Sequence, residues 1–201
     1  MHNRLAIVAA LGLAAPLGAQ QQQTFIIRRG ADTVAVEQFT RDGAVLNGVI
    51  IQKSGLRSEY VAVLKADNSV EHIDMTRKAA QPITIGIDFD PRAVDVSFSQ
   101  AGQSEKASIP TPGRAAPFLV VSFALCEQIA RAANLKPNDS VKWLMLRMGS
   151  GDTATATIAR FHKDSISITM ADVGVRLALN AKGDVVGGTH QSQPWIVERK
   201  P

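Results

Sequence analysis

Apolar and polar residues alternate along much of the chain with a period of two, which is typical of β-strands with one buried face. Residues 83–89 place isoleucine or phenylalanine at every second position, and residues 94–98 do the same with valine and phenylalanine. The turn sequence Asp90-Pro91-Arg92 separates them, so the pair predicts a β-hairpin. The same alternation returns at 166–170 and 175–179. Counted over the whole chain, these patterns predict about a dozen strands.

One segment departs from the alternation. Residues 109–117 contain three prolines, which remove backbone donors and favour an extended, unpaired connection. Residues 118–126 are then apolar except for Ser122, and the residues that follow place polar side chains on one face only. Because proline is accepted in the first turn of a helix, the pattern predicts one α-helix from about 117 to 133.

A dozen strands are too many for one flat open sheet. We therefore expect a mainly β fold, in which an antiparallel meander curls into a half-barrel or barrel with one embedded α-helix at 117–133. The expected parts are an N-terminal sheet half at 24–108, a proline-rich connection at 109–117, the helix, and a C-terminal sheet half at 140–199. All of them belong to a single β-rich domain, 20–201.

The N-terminus has the three parts of a secretory signal peptide. Arg4 supplies a basic start, residues 5–15 form an apolar run, and small Ala19 precedes a polar glutamine run at 20–23. The apolar run is shorter than the roughly 20 residues of a membrane-spanning helix. The sequence therefore predicts a signal peptide at 1–19, cleavage near Ala19, and export to the periplasm or the medium. No transmembrane segment is expected in the mature chain.

Composition narrows the classes of partner. The 201 residues are 45% hydrophobic and 20% charged, which is ordinary for a globular protein. The net charge of +4 is spread along the chain, without the clustered lysine and arginine of a nucleic-acid-binding surface. The single cysteine, Cys126, has apolar neighbours and is interpreted as a buried thiol. No histidine pair has metal-ligand spacing, so neither a metal nor a cofactor is expected.

Candidate catalytic groups are few. His72 lies among carboxylates in a predicted strand, and a histidine on a solvated face is favoured over a general base. The aspartates near the 83–98 hairpin are better explained as solvated turn residues than as calcium ligands. Ser150 is flanked by two glycines and followed by a predicted strand, which indicates a hairpin turn and not a nucleophile. No catalytic residue is assigned.

The apolar first half of the predicted helix is the strongest pointer to a binding site. If the curled sheet leaves a cavity, this segment would line it together with an apolar strand near 143. The candidate ligand-binding residues are Phe118, Val121, Phe123, Leu125 and Trp143. The alternative is that the helix fills the core completely and leaves no cavity.

In this layout the chain resembles the periplasmic lipoprotein carriers, a half-barrel type of bacterial envelope protein, and related exported families of unknown function. The resemblance rests on the signal peptide, the meander around 59–73, the helix from Pro117 and the closing hairpin at 175–184. It implies a hydrophobic binding face for acyl chains and assigns no functional residue.

The leading hypothesis is an exported, non-enzymatic protein that binds a lipid or acyl group in its curled sheet. The first alternative is a structural or protein-interaction module of the cell envelope. The second is a hydrolase that uses His72.

Overall fold

A computed structural model describes residues 21–200, and the predicted signal peptide, 1–19, lies outside them. The described residues form fifteen strands and one helix, so the predicted mainly β fold is confirmed. The strands are β1 (Gln23–Arg29), β2 (Asp32–Asp42), β3 (Val45–Gln52), β4 (Arg57–Leu64), β5 (Val70–Lys78), β6 (Ile83–Phe89), β7 (Ala93–Gln100), β8 (Gln103–Pro110), β9 (Ala115–Phe118), β10 (Ser140–Arg147), β11 (Asp152–His162), β12 (Ser165–Thr169), β13 (Gly174–Leu179), β14 (Val185–His190) and β15 (Trp195–Lys200). The helix is α1 (Phe123–Ala133).

All the strands belong to one sheet, in the order β8-β7-β6-β5-β4-β3-β2-β1-β15-β14-β13-β12-β11-β10-β9. Strands that follow one another along the chain pair antiparallel, except that β9 runs parallel to β10 and that β8 and β9 do not pair. The pairing of β1 with β15 joins the two halves of the meander in the middle of the sheet. Since β8 and β9 are its two edges, the sheet does not close into a barrel.

The position of the helix shows how strongly the sheet curls. Strands β2 and β9 are eight places apart in the order, which would be about 38 Å in a flat sheet. An eleven-residue helix is only about 16 Å long. Yet α1 contacts β2, β9 and β14. The sheet therefore wraps around the helix, as the strand count predicted.

The helix begins later than predicted. It starts at Phe123 instead of 117, because the Ser122 side chain caps its first turn and accepts a hydrogen bond from the Leu125 N–H at 3.2 Å. Residues 115–118 form the edge strand β9, so the last part of the proline-rich connection is paired with β10. Proline is tolerated in an edge strand as well as in the first turn of a helix, and Pro117 fits both.

The helix is covered on nearly every side. Phe123 and Leu125 are fully buried between the helix and the sheet. On the polar face, Glu127 and Gln128 are also buried, at 2% and 1% exposure. The Cys126 thiol is buried, and that burial raises its pKa well above the ordinary value. The core thus holds charged and amide groups that need partners inside the protein.

Candidate functional site

The five predicted ligand-binding residues are all buried but do not share one cavity. Phe123 packs against Phe25, with 6.0 Å between the ring centroids. Val121 and Leu125 belong to the same core. Trp143 lies on β10 beneath the guanidinium of Arg114, 5.0 Å from its ring centroid. Phe118 alone of the five lines the cleft described next.

This cleft, here named the end cleft, has a volume of about 280 Å³ and lies at one end of the curled sheet. Four chain segments form it, around residues 118–120, 147–150, 172–173 and 190–195. Each segment ends or connects strands. They are far apart in the sequence and meet because the sheet curls. The apolar wall of the end cleft consists of Phe118, Leu119, Val120, Val173 and Trp195.

A network of ion pairs fixes one rim of the end cleft. The Arg147 guanidinium donates to Asp152 through Nε at 2.8 Å and to Asp172 through Nη1 at 2.5 Å. Hydrogen bonds from Arg147 and Ser150 lower the pKa of Asp152 to about 2. The network ties the turn between β10 and β11 to the turn between β12 and β13. Of these three side chains, Arg147 and Asp172 line the cleft, and Asp152 holds Arg147 from outside the lining.

Two aromatic side chains with polar nitrogens also line the end cleft. The His190 and Trp195 rings lie 5.1 Å apart between centroids. The backbone N–H of Ser192 donates to His190 Nδ1 at 3.2 Å. Burial lowers the pKa of His190, so the ring is neutral at pH 7. Among residues 21–200, neither His190 Nε2 nor Trp195 Nε1 has a hydrogen-bond partner, and both atoms are buried.

The segment that forms the apolar wall is anchored to the sheet by a buried carboxylate. Glu37 lies on β2 and is fully buried. Its Oε2 accepts from the backbone N–H groups of Phe123 at 2.7 Å and Ala124 at 2.9 Å. Its Oε1 accepts from the hydroxyls of Ser122 at 2.5 Å and Tyr60 at 2.8 Å. Glu37 thereby satisfies the free donors at the start of α1 and fixes the end of the wall segment.

A second buried carboxylate holds the other side of the helix. Glu127 accepts from Arg199 Nη1 at 2.7 Å and from the Val185 backbone N–H at 2.9 Å. Arg131, one turn along α1, contacts both Glu127 and Asp184. These contacts join α1 to β14 and β15. The helix is therefore oriented by two carboxylates, one from the sheet and one of its own.

His72 lies on the polar face of β5 between two exposed aspartates. Its Nδ1 is 2.7 Å from Asp88 and its Nε2 is 3.1 Å from Asp74. Burial acts to lower its pKa, but the two carboxylates outweigh that effect and raise it above the ordinary value. Both ring nitrogens are engaged, so the imidazole has no free nitrogen with which to take a proton from a substrate.

No group of three or more histidine, cysteine, aspartate or glutamate side chains in the region 21–200 is placed to hold a metal ion. The helix of that region is too short to cross a membrane.

The fold is similar to that of a DUF1089 family protein from Pseudomonas aeruginosa, whose crystal structure was determined at 1.80 Å resolution. The superposition has a TM-score of 0.59 and covers 92% of this chain and 95% of that chain. The two proteins share a fold. Their sequences are 12% identical, so the likeness carries no residue role from one chain to the other. The sequence matches no protein-family model and no curated protein.

Proposed function

We propose that this protein is exported and that it binds a hydrophobic ligand, a lipid or an acyl group, in the end cleft. The observation that carries the proposal is the cleft itself, with its wall of apolar side chains. Small-molecule sites are typically concave and mostly apolar, with a few placed polar groups. At about 280 Å³ the end cleft is near the lower limit of such sites, so it suits a short chain or part of a longer one.

The proposed ligand site differs from the one expected from sequence. Val121, Phe123 and Leu125 are packed against the sheet, where they contribute to folding. A ligand in their place would have to displace core side chains. Phe118 and the two residues after it instead face the end cleft, so the apolar segment before the helix supplies the binding surface.

The export part of the proposal rests on the sequence of residues 1–19, with its basic start, apolar run and small residue before the cleavage point. The resemblance to periplasmic lipoprotein carriers, which was inferred from the sequence alone, implies the same compartment and the same class of ligand. An exported protein that holds an acyl chain would shield that chain from water between membranes.

Val120→Arg is expected to weaken binding of a fluorescent acyl ester about tenfold or more, since it puts a charged group on the apolar wall. Val120 is only partly buried, so the fold should tolerate the larger side chain. The matched control is Ile51→Arg, at a residue that is 41% exposed and lies on β3, outside the end cleft. Wild-type affinity in Val120→Arg, or an equal loss in Ile51→Arg, would rule out the cleft as the site.

The second candidate function is a protein-interaction module, which the exposed edge strand β8 favours. Seven of its eight residues are exposed, and its outer side has no neighbouring strand within residues 21–200. An edge of this kind can accept a strand from a partner protein. Co-purification of a defined second protein, in place of a lipid, would favour this function.

A further inference from the structure

The two unpartnered nitrogens in the wall of the end cleft are both hydrogen-bond donors. The indole Nε1–H of Trp195 can only donate. Because His190 Nδ1 accepts from the Ser192 N–H, the proton of the neutral ring lies on Nε2. Within the described part of the chain no acceptor reaches either nitrogen, and solvent does not reach them either. Two donors of the wall are therefore left without an acceptor.

Buried donors without partners are rare in folded proteins, and each one calls for an explanation. Here the explanation is that both donors belong to side chains that line the end cleft. His190 is 5% exposed and lines the end cleft together with Trp195. A ligand that fills the cleft and carries an oxygen would supply the missing acceptor. A turn of the half-buried Trp195 side chain toward the ligand is then part of binding.

The charges at the rim decide what kind of oxygen fits. Arg147 and Asp172 are the charged residues of the lining and are paired with each other, and Arg147 is also paired with Asp152 outside the lining. His190 is neutral and adds no cation. A carboxylate head group would therefore find no free cation in this lining and would be buried without a counter-ion, whereas an uncharged carbonyl or hydroxyl oxygen needs none.

We infer that the ligand of the end cleft carries an uncharged hydrogen-bond acceptor, such as the carbonyl of an acyl ester or amide, which is bound by His190 Nε2–H and Trp195 Nε1–H. The inference rests on the proposed function and names its substrate class more closely. It separates neutral acyl derivatives from free fatty acids and from plain hydrocarbons.

The test compares three probes of equal chain length: methyl octanoate, octanoate and octane. The protein has two tryptophans, so a ¹H–¹⁵N NMR spectrum shows two indole N–H signals. The Trp195→Phe variant assigns them. Methyl octanoate is expected to shift the Trp195 signal downfield and to leave the signal of Trp143, outside the end cleft, in place as an internal control.

The same variant tests the hydrogen bond by affinity. Trp195→Phe keeps an aromatic ring in the wall and is expected to weaken binding of methyl octanoate about three- to tenfold, with little change for octane. His190→Phe is a second variant with the same expectation. Trp195→Phe removes a donor that lacks a partner in the free protein, so it should leave the Tm close to that of the wild type. His190→Phe also removes the acceptor of the Ser192 N–H and is expected to lower the Tm slightly.

The outcomes separate the two proposals. If the wild-type protein binds none of the three probes, both the proposed function and this inference fail. If octane binds as tightly as methyl octanoate and the Trp195 signal does not move, the hydrophobic site stands and the acceptor is wrong. If octanoate binds more tightly than the ester, the uncharged head group is wrong.

Discussion

Glu37→Ala is expected to lower the free energy of unfolding by about 3–5 kcal/mol. The change removes the acceptor of four hydrogen bonds in a fully buried place. It leaves the N–H groups of Phe123 and Ala124 without a partner at the start of α1, together with the hydroxyls of Ser122 and Tyr60. The surrounding core is apolar, so these buried groups would bear the cost of desolvation without a hydrogen bond. Urea unfolding followed by circular dichroism measures the loss.

Glu37→Gln should be far milder, within about 1 kcal/mol of the wild type. Its carbonyl oxygen can take the place of Oε2 and accept from the two backbone N–H groups. Its amide then faces the Ser122 and Tyr60 hydroxyls, which can turn and accept. The exposed Glu71→Ala serves as a control for loss of a carboxylate, with an expected change within about 0.5 kcal/mol. Equal losses of stability in Glu37→Ala and Glu37→Gln would contradict the role of Glu37 as a hydrogen-bond acceptor at the start of α1.

The contribution of Glu37 to stability should decrease as pH rises. Burial raises the pKa of Glu37, and that effect outweighs the hydrogen bonds that act to lower it. The folded protein therefore holds this proton more tightly than the unfolded chain does, whose glutamate pKa is about 4.3. As pH rises from there through the folded-state pKa, the wild type should lose stability relative to Glu37→Gln. A difference that is constant with pH would show that Glu37 titrates alike in both states.

Gly48→Ala is expected to cost about 3 kcal/mol. Gly48 on β3 pairs directly with Tyr60 on β4, and the Tyr60 ring lies over it. A Cβ at position 48 would overlap that ring, which would have to move away from Glu37. The substitution thus combines overpacking with the loss of a buried hydrogen bond. Thermal and urea unfolding both measure it.

Two further variants identify the cause. Gly113→Ala adds a Cβ where no other atom lies within 4 Å, so it should change stability by less than about 0.5 kcal/mol. Adding Tyr60→Ala to Gly48→Ala removes the clash, so the double variant should be more stable than the sum of the single changes predicts. Strict additivity would mean that the ring and the glycine do not interact.

These effects bear on binding because the anchor and the cleft share a segment. Residues 118–120 form the apolar wall, and Ser122, two residues later, is held by Glu37. The Ser122 N–H in turn donates to the Leu119 carbonyl at 2.8 Å. A protein weakened at Glu37 should therefore also bind acyl ligands less well.

The period-two alternation was enough to predict the antiparallel meander, and the hairpin at 83–98 has the expected turn, with Phe89 paired to Val94. The strand number also predicted the curl. The start of the helix was not predictable from hydropathy, because residues 115–118 are buried as a strand and residues 123–126 are buried as a helix. Both segments are equally apolar.

The buried position of Glu37 could have been predicted from the sequence, whereas the end cleft could not. Glu37 has the same parity on β2 as the buried Ala35 and Phe39, so a carboxylate on the inward face was a signal within the sequence. The end cleft offered no such signal. It consists of segments from four connections, and only the curl of the sheet brings His190 and Trp195 close to Val120.

Native mass spectrometry of the protein, isolated gently from its own cells and followed by lipid extraction, shows whether a hydrophobic ligand is bound. We expect a bound acyl-containing molecule in the wild-type spectrum, and its loss in Val120→Arg but not in Ile51→Arg. A spectrum of the ligand-free mass alone, in wild-type protein that also fails to take up added methyl octanoate, would contradict the claim that this fold binds a hydrophobic ligand.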